Sequence, residues 1–341
     1  MLLWRLCLGS ALVIALVGLF ALDAWIGETA PVLWLLALLL GLRSVWELRQ
    51  LLASRFSPNL PLVSVCVLAV VSANWLSAIT LPSPPGRGAG GEGSVDWRPP
   101  SPPTPLPGGA GGNEARGLGT NQAAGRLAST REGSSLAGRL GMPLLAFALS
   151  LVVLFATALT RYGAPGKNVE NLGSEILILS YVGIFISFTV QLRWIHPKVL
   201  HYIPLASLLV AVKCGDTCAY FAGRYLGKRK LSPLISPGKT WEGAIAGVCG
   251  AALGSWLWLT FGVLGLTNAA PGPWYWSILY GALLGIVGII GDLAESLIKR
   301  DVGAKDSARL LPGLGGVLDL LDSILFTAPV AYLLWLVLPL V

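Results

Sequence analysis

The sequence predicts an all-α, polytopic membrane protein with about nine transmembrane helices. Three observations carry that expectation. Of the 341 residues, 54% are hydrophobic, and the mean hydropathy is +0.71. Several apolar runs reach the roughly 20 residues needed to cross a bilayer. Charged residues make up only 12% of the chain, and they gather in short stretches between the runs. The net charge of +7 suits cytoplasmic loops that face anionic lipid and an anionic substrate. The basic residues form no extended tract, which argues against a nucleic-acid partner.

The first run, Leu6 to Trp25, follows Arg5 and ends near the small residues Ala21 and Ala24, as a signal peptide would. Its length and the prompt arrival of a second run favour a retained helix. That second run is Pro31 to Leu48, and the third is Leu60 to Leu81; together they form an N-terminal membrane region over residues 1–81. Residues 82–140 are rich in Gly, Pro and Ser. With almost no aliphatic side chains they cannot bury enough surface to offset chain entropy, so a disordered loop is expected. Residues 141–200 hold two middle spans, Met142 to Tyr162 and Ser174 to Trp194. Residues 201–341 hold four more: Tyr202 to Leu226, Thr240 to Leu266, Trp274 to Lys299 and Val317 to Leu340.

The distribution of basic residues sets the orientation. With the N-terminus cytoplasmic, the inward loops carry Arg43, Arg49 and Arg55, then Arg161 and Lys167, then Arg224, Lys228, Arg229, Lys230 and Lys239, and finally Lys299, Arg300, Lys305 and Arg309. Among the short outward loops only the 193–201 turn has any, Arg193 and Lys198. The expected place is the inner (plasma) membrane, with the charged loops facing the cytoplasm. The five cysteines, Cys7, Cys66, Cys214, Cys218 and Cys249, all lie in or near apolar segments, so no disulfide framework is expected. Cys214 and Cys218 are one turn apart, a spacing read as ordinary helix packing.

Chemistry concentrates in two stretches. In the first, Asp216 lies within an apolar helix, where an unpaired carboxylate is costly. It needs a cation, a bound metal or a basic partner such as Lys213 or Arg224. Downstream, Ser236-Pro-Gly-Lys-Thr240 opens a span. Helix N-terminal amides, the Lys239 charge and the Thr240 hydroxyl would all favour an anion there. The stretch is not a Walker A loop, because Pro233 stands where that motif needs glycine. In the second stretch, Asp292, Glu295, Ser296 and Lys299 share one helical face. Asp319 and Asp322 share a face of the next helix, directly after Gly313-Leu-Gly-Gly316, whose glycines let backbone approach a ligand. Carboxylates from separate helices meeting at one membrane face would hold Mg²⁺ and bridge it to phosphates. A charge network that merely caps the helices is the alternative.

The run SLIKRDVGAKDSARLLPGLGGVLDLLDS resembles the C-terminal signature of the phosphatidate cytidylyltransferases, the CDP-diacylglycerol synthases. Ser296, Lys299, Arg300, Lys305, Asp306, Gly315, Gly316, Asp319 and Asp322 fall on that pattern. The Asp216 to Gly243 stretch, with its D-T-x-A-Y-F and S-P-G-K-T-x-E-G runs, is similar to the same family. Leu314 and Leu320 depart from it, standing where the family usually has His and Arg. The resemblance covers about the last 140 residues and implies a nucleotidyltransferase of phospholipid synthesis. It would join CTP and phosphatidate into CDP-diacylglycerol and pyrophosphate, with Mg²⁺ as cofactor and a homodimer allowed. The residue roles it implies are catalytic for Asp216, Lys239, Asp292, Lys299, Arg300, Lys305 and Asp306. Ser236, Thr240, Glu242, Ser296, Gly315 and Gly316 would bind substrate, and Asp292, Asp319 and Asp322 would bind metal. The alternatives are another CTP-dependent lipid enzyme, such as a polyprenol kinase or an ether-lipid synthase, or a membrane homologue without activity.

Overall fold

The structure, a computed structural model, describes residues 15–27, 29–80, 140–195, 202–267, 270–304 and 316–341, with backbone alone for 77–80. The glycine- and proline-rich loop at 82–139, the start of the first run, Lys198, Leu314, and Lys305, Asp306 and Gly315 lie outside the described residues.

Among the described residues the chain forms nine helices and one two-stranded hairpin. The helices are α1 (Ala15–Ile26), α2 (Pro31–Leu52), α3 (Leu60–Thr80), α4 (Leu140–Arg161), α5 (Asn168–Trp194) and α6 (Ile203–Tyr225). After the hairpin come α7 (Trp241–Thr267), α8 (Trp274–Asp301) and α9 (Val317–Val337). Seven of them are long and apolar enough to cross a membrane, and α1 and α3 supply shorter apolar helices where the first and third spans were expected. The chain is thus an all-α polytopic membrane protein. Helix ends fall within a few residues of the sequence expectation except at α5, which starts at Asn168, ahead of the expected Ser174. Its amphipathic first turns hold Asn171 and Glu175, which accept from the backbone amides of Ser57 and Asn59, so a polar stretch is drawn into the helix by its neighbours.

The hairpin departs from the helical expectation. Lys230–Ser232 (β1) pairs antiparallel with Ser236–Thr240 (β2), with Lys230 opposite Thr240 and Ser232 opposite Ser236. Pro237 and Gly238 are poor helix residues and disfavour extending α7 backwards. The helix therefore starts at Trp241, with Thr240 in extended geometry as its N-cap and its hydroxyl accepting from the Gly243 amide at 3.2 Å.

α6 and α7 pack closely, where small residues let the backbones approach. A Cβ added at Gly250 would lie 2.5 Å from Cys218 Sγ, and one at Gly254 would lie 2.7 Å from Cys214 Cβ. The two cysteines thus pack on glycines, as their spacing suggested. α8 lies against α7 and α9, and α9 turns its other side to α2 and α5. A Cβ at Gly291 of α8 would lie 2.6 Å from Phe326 Cβ of α9. Phe326 also packs edgewise on Phe185 and tilted against Tyr181 of α5. This arrangement sets the hydrophilic ends of α6, α8 and α9 side by side with the hairpin.

Candidate active site

Where those ends meet lies a cavity of about 700 Å³. α6 contributes Asp216, Tyr220 and Arg224, and the hairpin contributes Lys239 and Thr240. α8 supplies Asp292, Glu295 and Lys299, and α9 supplies Asp319, Asp322 and Ser323. Glycines of α7 and α8, among them Gly243, Gly247, Gly285 and Gly288, form the floor, so polar side chains project across bare backbone.

Charges in the cavity are interlocked across elements. Lys239 Nζ sits 2.7 Å from Asp292 Oδ2, joining hairpin to α8. Lys299 Nζ sits 2.5 Å from Glu295 Oε2 one turn back and 2.9 Å from Asp319 Oδ1, joining α8 to α9. The second oxygen of Asp319 accepts from the Gly316 amide at 2.7 Å, fixing the first turn of α9. On α6, Lys213 pairs with Asp216 at 3.1 Å and donates to the Leu320 carbonyl at 3.3 Å. Asp216 therefore has the basic partner that its apolar helix demanded, and Arg224 instead donates to the Tyr220 hydroxyl at 2.8 Å.

Asp322 is different. It is buried, lines the cavity and accepts from the Ser323 amide at 2.6 Å. Among the described residues it makes no ion pair. A buried carboxylate in that position calls for a cation.

Several expected site residues are placed elsewhere. Glu242 accepts from the backbone amides of Lys228 and Arg229, at 3.1 and 3.3 Å, and so closes the loop before the hairpin. Arg300 donates from Nε to the Ile235 carbonyl, tying α8 to the hairpin tip. Thr240 lines the cavity but uses its hydroxyl as a helix cap. Ser236 pairs in the strand, Ser296 is half-buried on α8, and Gly316 caps α9; none of the three lines the cavity.

No three His, Cys, Asp or Glu side chains among the described residues stand close enough to hold an ion by themselves. The donor set still suits Mg²⁺, which takes hard oxygens and is usually bound by one or two carboxylates together with substrate phosphates. Asp292, Asp319 and Asp322 all line the cavity and could supply such ligands as a half-site.

Sequence reasoning named Arg224 only as a possible partner of Asp216 and assigned no role to Tyr220 or Ser323, though Tyr220 is four residues from Asp216 and Ser323 four from Asp319, each on the same helical face. Glu295 was noticed only as a neighbour, yet it is buried and holds Lys299.

Comparison with known proteins bears on the same residues. The model of the cytidylyltransferase family matches residues 132–338. A Brucella suis protein named phosphatidate cytidylyltransferase is 49% identical over 132 residues, covering 39% of this chain and 46% of that protein. Its namesake in Synechocystis is 38% identical over 193 residues, covering 48% and 62%. The Bacillus subtilis protein of that name is 36% identical over 187 residues, covering 54% and 66%. The chain spans about half the length of the first of these relatives. With more than half its residues matched, walls of the cavity included, the chain belongs to the cytidylyltransferase family.

Proposed function

We propose that the chain is a phosphatidate cytidylyltransferase, making CDP-diacylglycerol and pyrophosphate from CTP and phosphatidate. The observation that carries this reading is Asp322, buried and without an ion pair among the described residues, in a cavity whose other acids each hold a lysine. Such a wall is matched to a divalent cation and phosphates together. The relatives' names support the substrate class.

A phosphate oxygen of phosphatidate attacks the α-phosphorus of CTP, and the bond to the bridging oxygen breaks to release pyrophosphate. Transfer of this kind asks for positioning and charge neutralisation more than covalent help. Lys239 and Lys299 both line the cavity and can each exchange a carboxylate for a phosphate oxygen. Glu295 holds Lys299 in place meanwhile. Asp322, with Asp292 or Asp319, would hold Mg²⁺, which when bound neutralises the CTP phosphates. Arg224 lines the cavity from α6 and would meet the lipid phosphate. The basic residues flanking the hairpin and α8 favour a cavity mouth at the cytoplasmic face of the inner membrane.

The test is turnover by the purified full chain in phosphatidate-containing vesicles with labelled CTP. The reading expects the CMP moiety in lipid and pyrophosphate in solution, both requiring Mg²⁺. Transfer of the γ-phosphate to a polyprenol, preference for an ether lipid, or no product with any divalent ion would each overturn it.

A further inference from the structure

The first turn of α9 carries Asp319 and leads to Asp322, so its placement decides where both carboxylates stand. Its free amides do not face open cavity. They meet Glu47, from α2, whose Oε1 accepts from the Val317 amide at 3.0 Å and whose Oε2 accepts from Leu318 at 2.8 Å. The Glu47 side chain is fully buried, and Arg43 one turn earlier pairs with its Oε1 at 2.9 Å. A carboxylate on helix N-terminal amides interacts with the helix dipole and makes charge-assisted hydrogen bonds. Together with Asp319 on the Gly316 amide, it fixes successive backbone groups at the start of α9. Glu47 lies outside the residues the family model matches, and it does not line the cavity.

We infer that Glu47 is a positioning residue for the cation half-site: by clamping the first turn of α9 it sets Asp319 and Asp322 at the spacing a phosphate-bound divalent ion requires. This rests on the function proposed above, but its effect on cation binding is separable from it. Outer groups that orient metal-ligating carboxylates typically matter 10- to 100-fold for affinity.

Asp23 provides a matched control. It too is a fully buried carboxylate that caps a helix start, accepting from Val32 at 2.7 Å and Leu33 at 3.3 Å. It does so at the far end of α2, roughly 20 Å along the helix from Glu47. Glu47→Gln keeps the side chain's length but turns one accepting oxygen into an amide that faces an amide. In the full chain in detergent, Glu47→Gln and Asp23→Asn are compared with the wild type for thermal midpoint, for Mn²⁺ affinity by electron paramagnetic resonance, and for turnover. Both variants should lower the midpoint, whereas only Glu47→Gln should weaken Mn²⁺ binding, by about tenfold or more, and slow turnover roughly 10- to 100-fold. Equal Mn²⁺ affinity in Glu47→Gln and wild type would overturn the inference, as would a wild type that binds no Mn²⁺. If Glu47→Gln does not fold, Arg43→Gln releases the pair that orients the carboxylate while leaving both amide bonds. It should weaken Mn²⁺ binding several-fold, and an unchanged affinity there is equally fatal. A wild type that binds Mn²⁺ but turns over no phosphatidate would sink the proposed function and leave the Glu47 comparison decisive on its own.

Discussion

Asp322 and Lys299 are opposite cases of one rule, that charge taken from water needs a partner. Asp322 lines the cavity with no ion pair among the described residues, so Asp322→Asn should remove cation capacity without unfolding the chain. The expected loss of turnover is at least about 100-fold, with a thermal midpoint close to wild type; near-normal turnover would count against the cation assignment. Lys299 serves Glu295 and Asp319 at once, and all three side chains are largely buried. Lys299→Met should therefore cost about 3–5 kcal/mol, read as a lower thermal midpoint, with turnover lost as well. These residues were legible because ionisable groups are rare in apolar runs and must be explained one by one. Glu47 has the same signature, sitting between Trp46 and Leu48 of an apolar helix. It escaped notice because its partners are amides some 270 residues away, and local sequence names no backbone partner.

At the scale of elements, α6 and α7 depend on glycine where nothing larger fits. Gly250→Ala places a methyl against Cys218 and should destabilise by about 1–3 kcal/mol. Gly173→Ala in α5 meets nothing within 4 Å and should instead be neutral or stabilise by about 0.5–1 kcal/mol. Thermal unfolding of the two variants side by side checks both signs. Hydrophobic run length was enough to read the helices, since twenty apolar residues admit few other structures in lipid. The hairpin was not legible: three residues facing five make no period-2 pattern, and Pro237 with Gly238 signalled a break without saying what replaces the helix. Which helix faces which was also beyond the sequence, because small residues mark close approach but do not name the partner.

Across the whole molecule, the four helices from α6 to α9 build the cavity walls, while α2 and α5 brace the outer side of α9. The proposed orientation can be checked by chemistry at the two ends of α7. In a background free of native cysteines, Leu234→Cys at the exposed hairpin tip should react with an impermeant maleimide only in inside-out vesicles. Ala270→Cys, between α7 and α8, should react only in right-side-out ones. Reaction of both from one side would invert or break the proposed topology. The proposed orientation rests on charge bias between loops, whereas the cavity itself came only from the packing of the helices.

Lys239 and Asp292 are bonded to each other at 2.7 Å, and in the proposed reaction a nucleotide phosphate would compete for that lysine. A phosphate that takes this lysine breaks one attraction as it makes another, so the step is an exchange of counter-ions. Added salt weakens the resting latch and the incoming grip alike. Nucleotide affinity should therefore fall less steeply with ionic strength than the number of cationic contacts alone would suggest, and Asp292→Asn, which leaves the lysine waiting, should make that slope steeper.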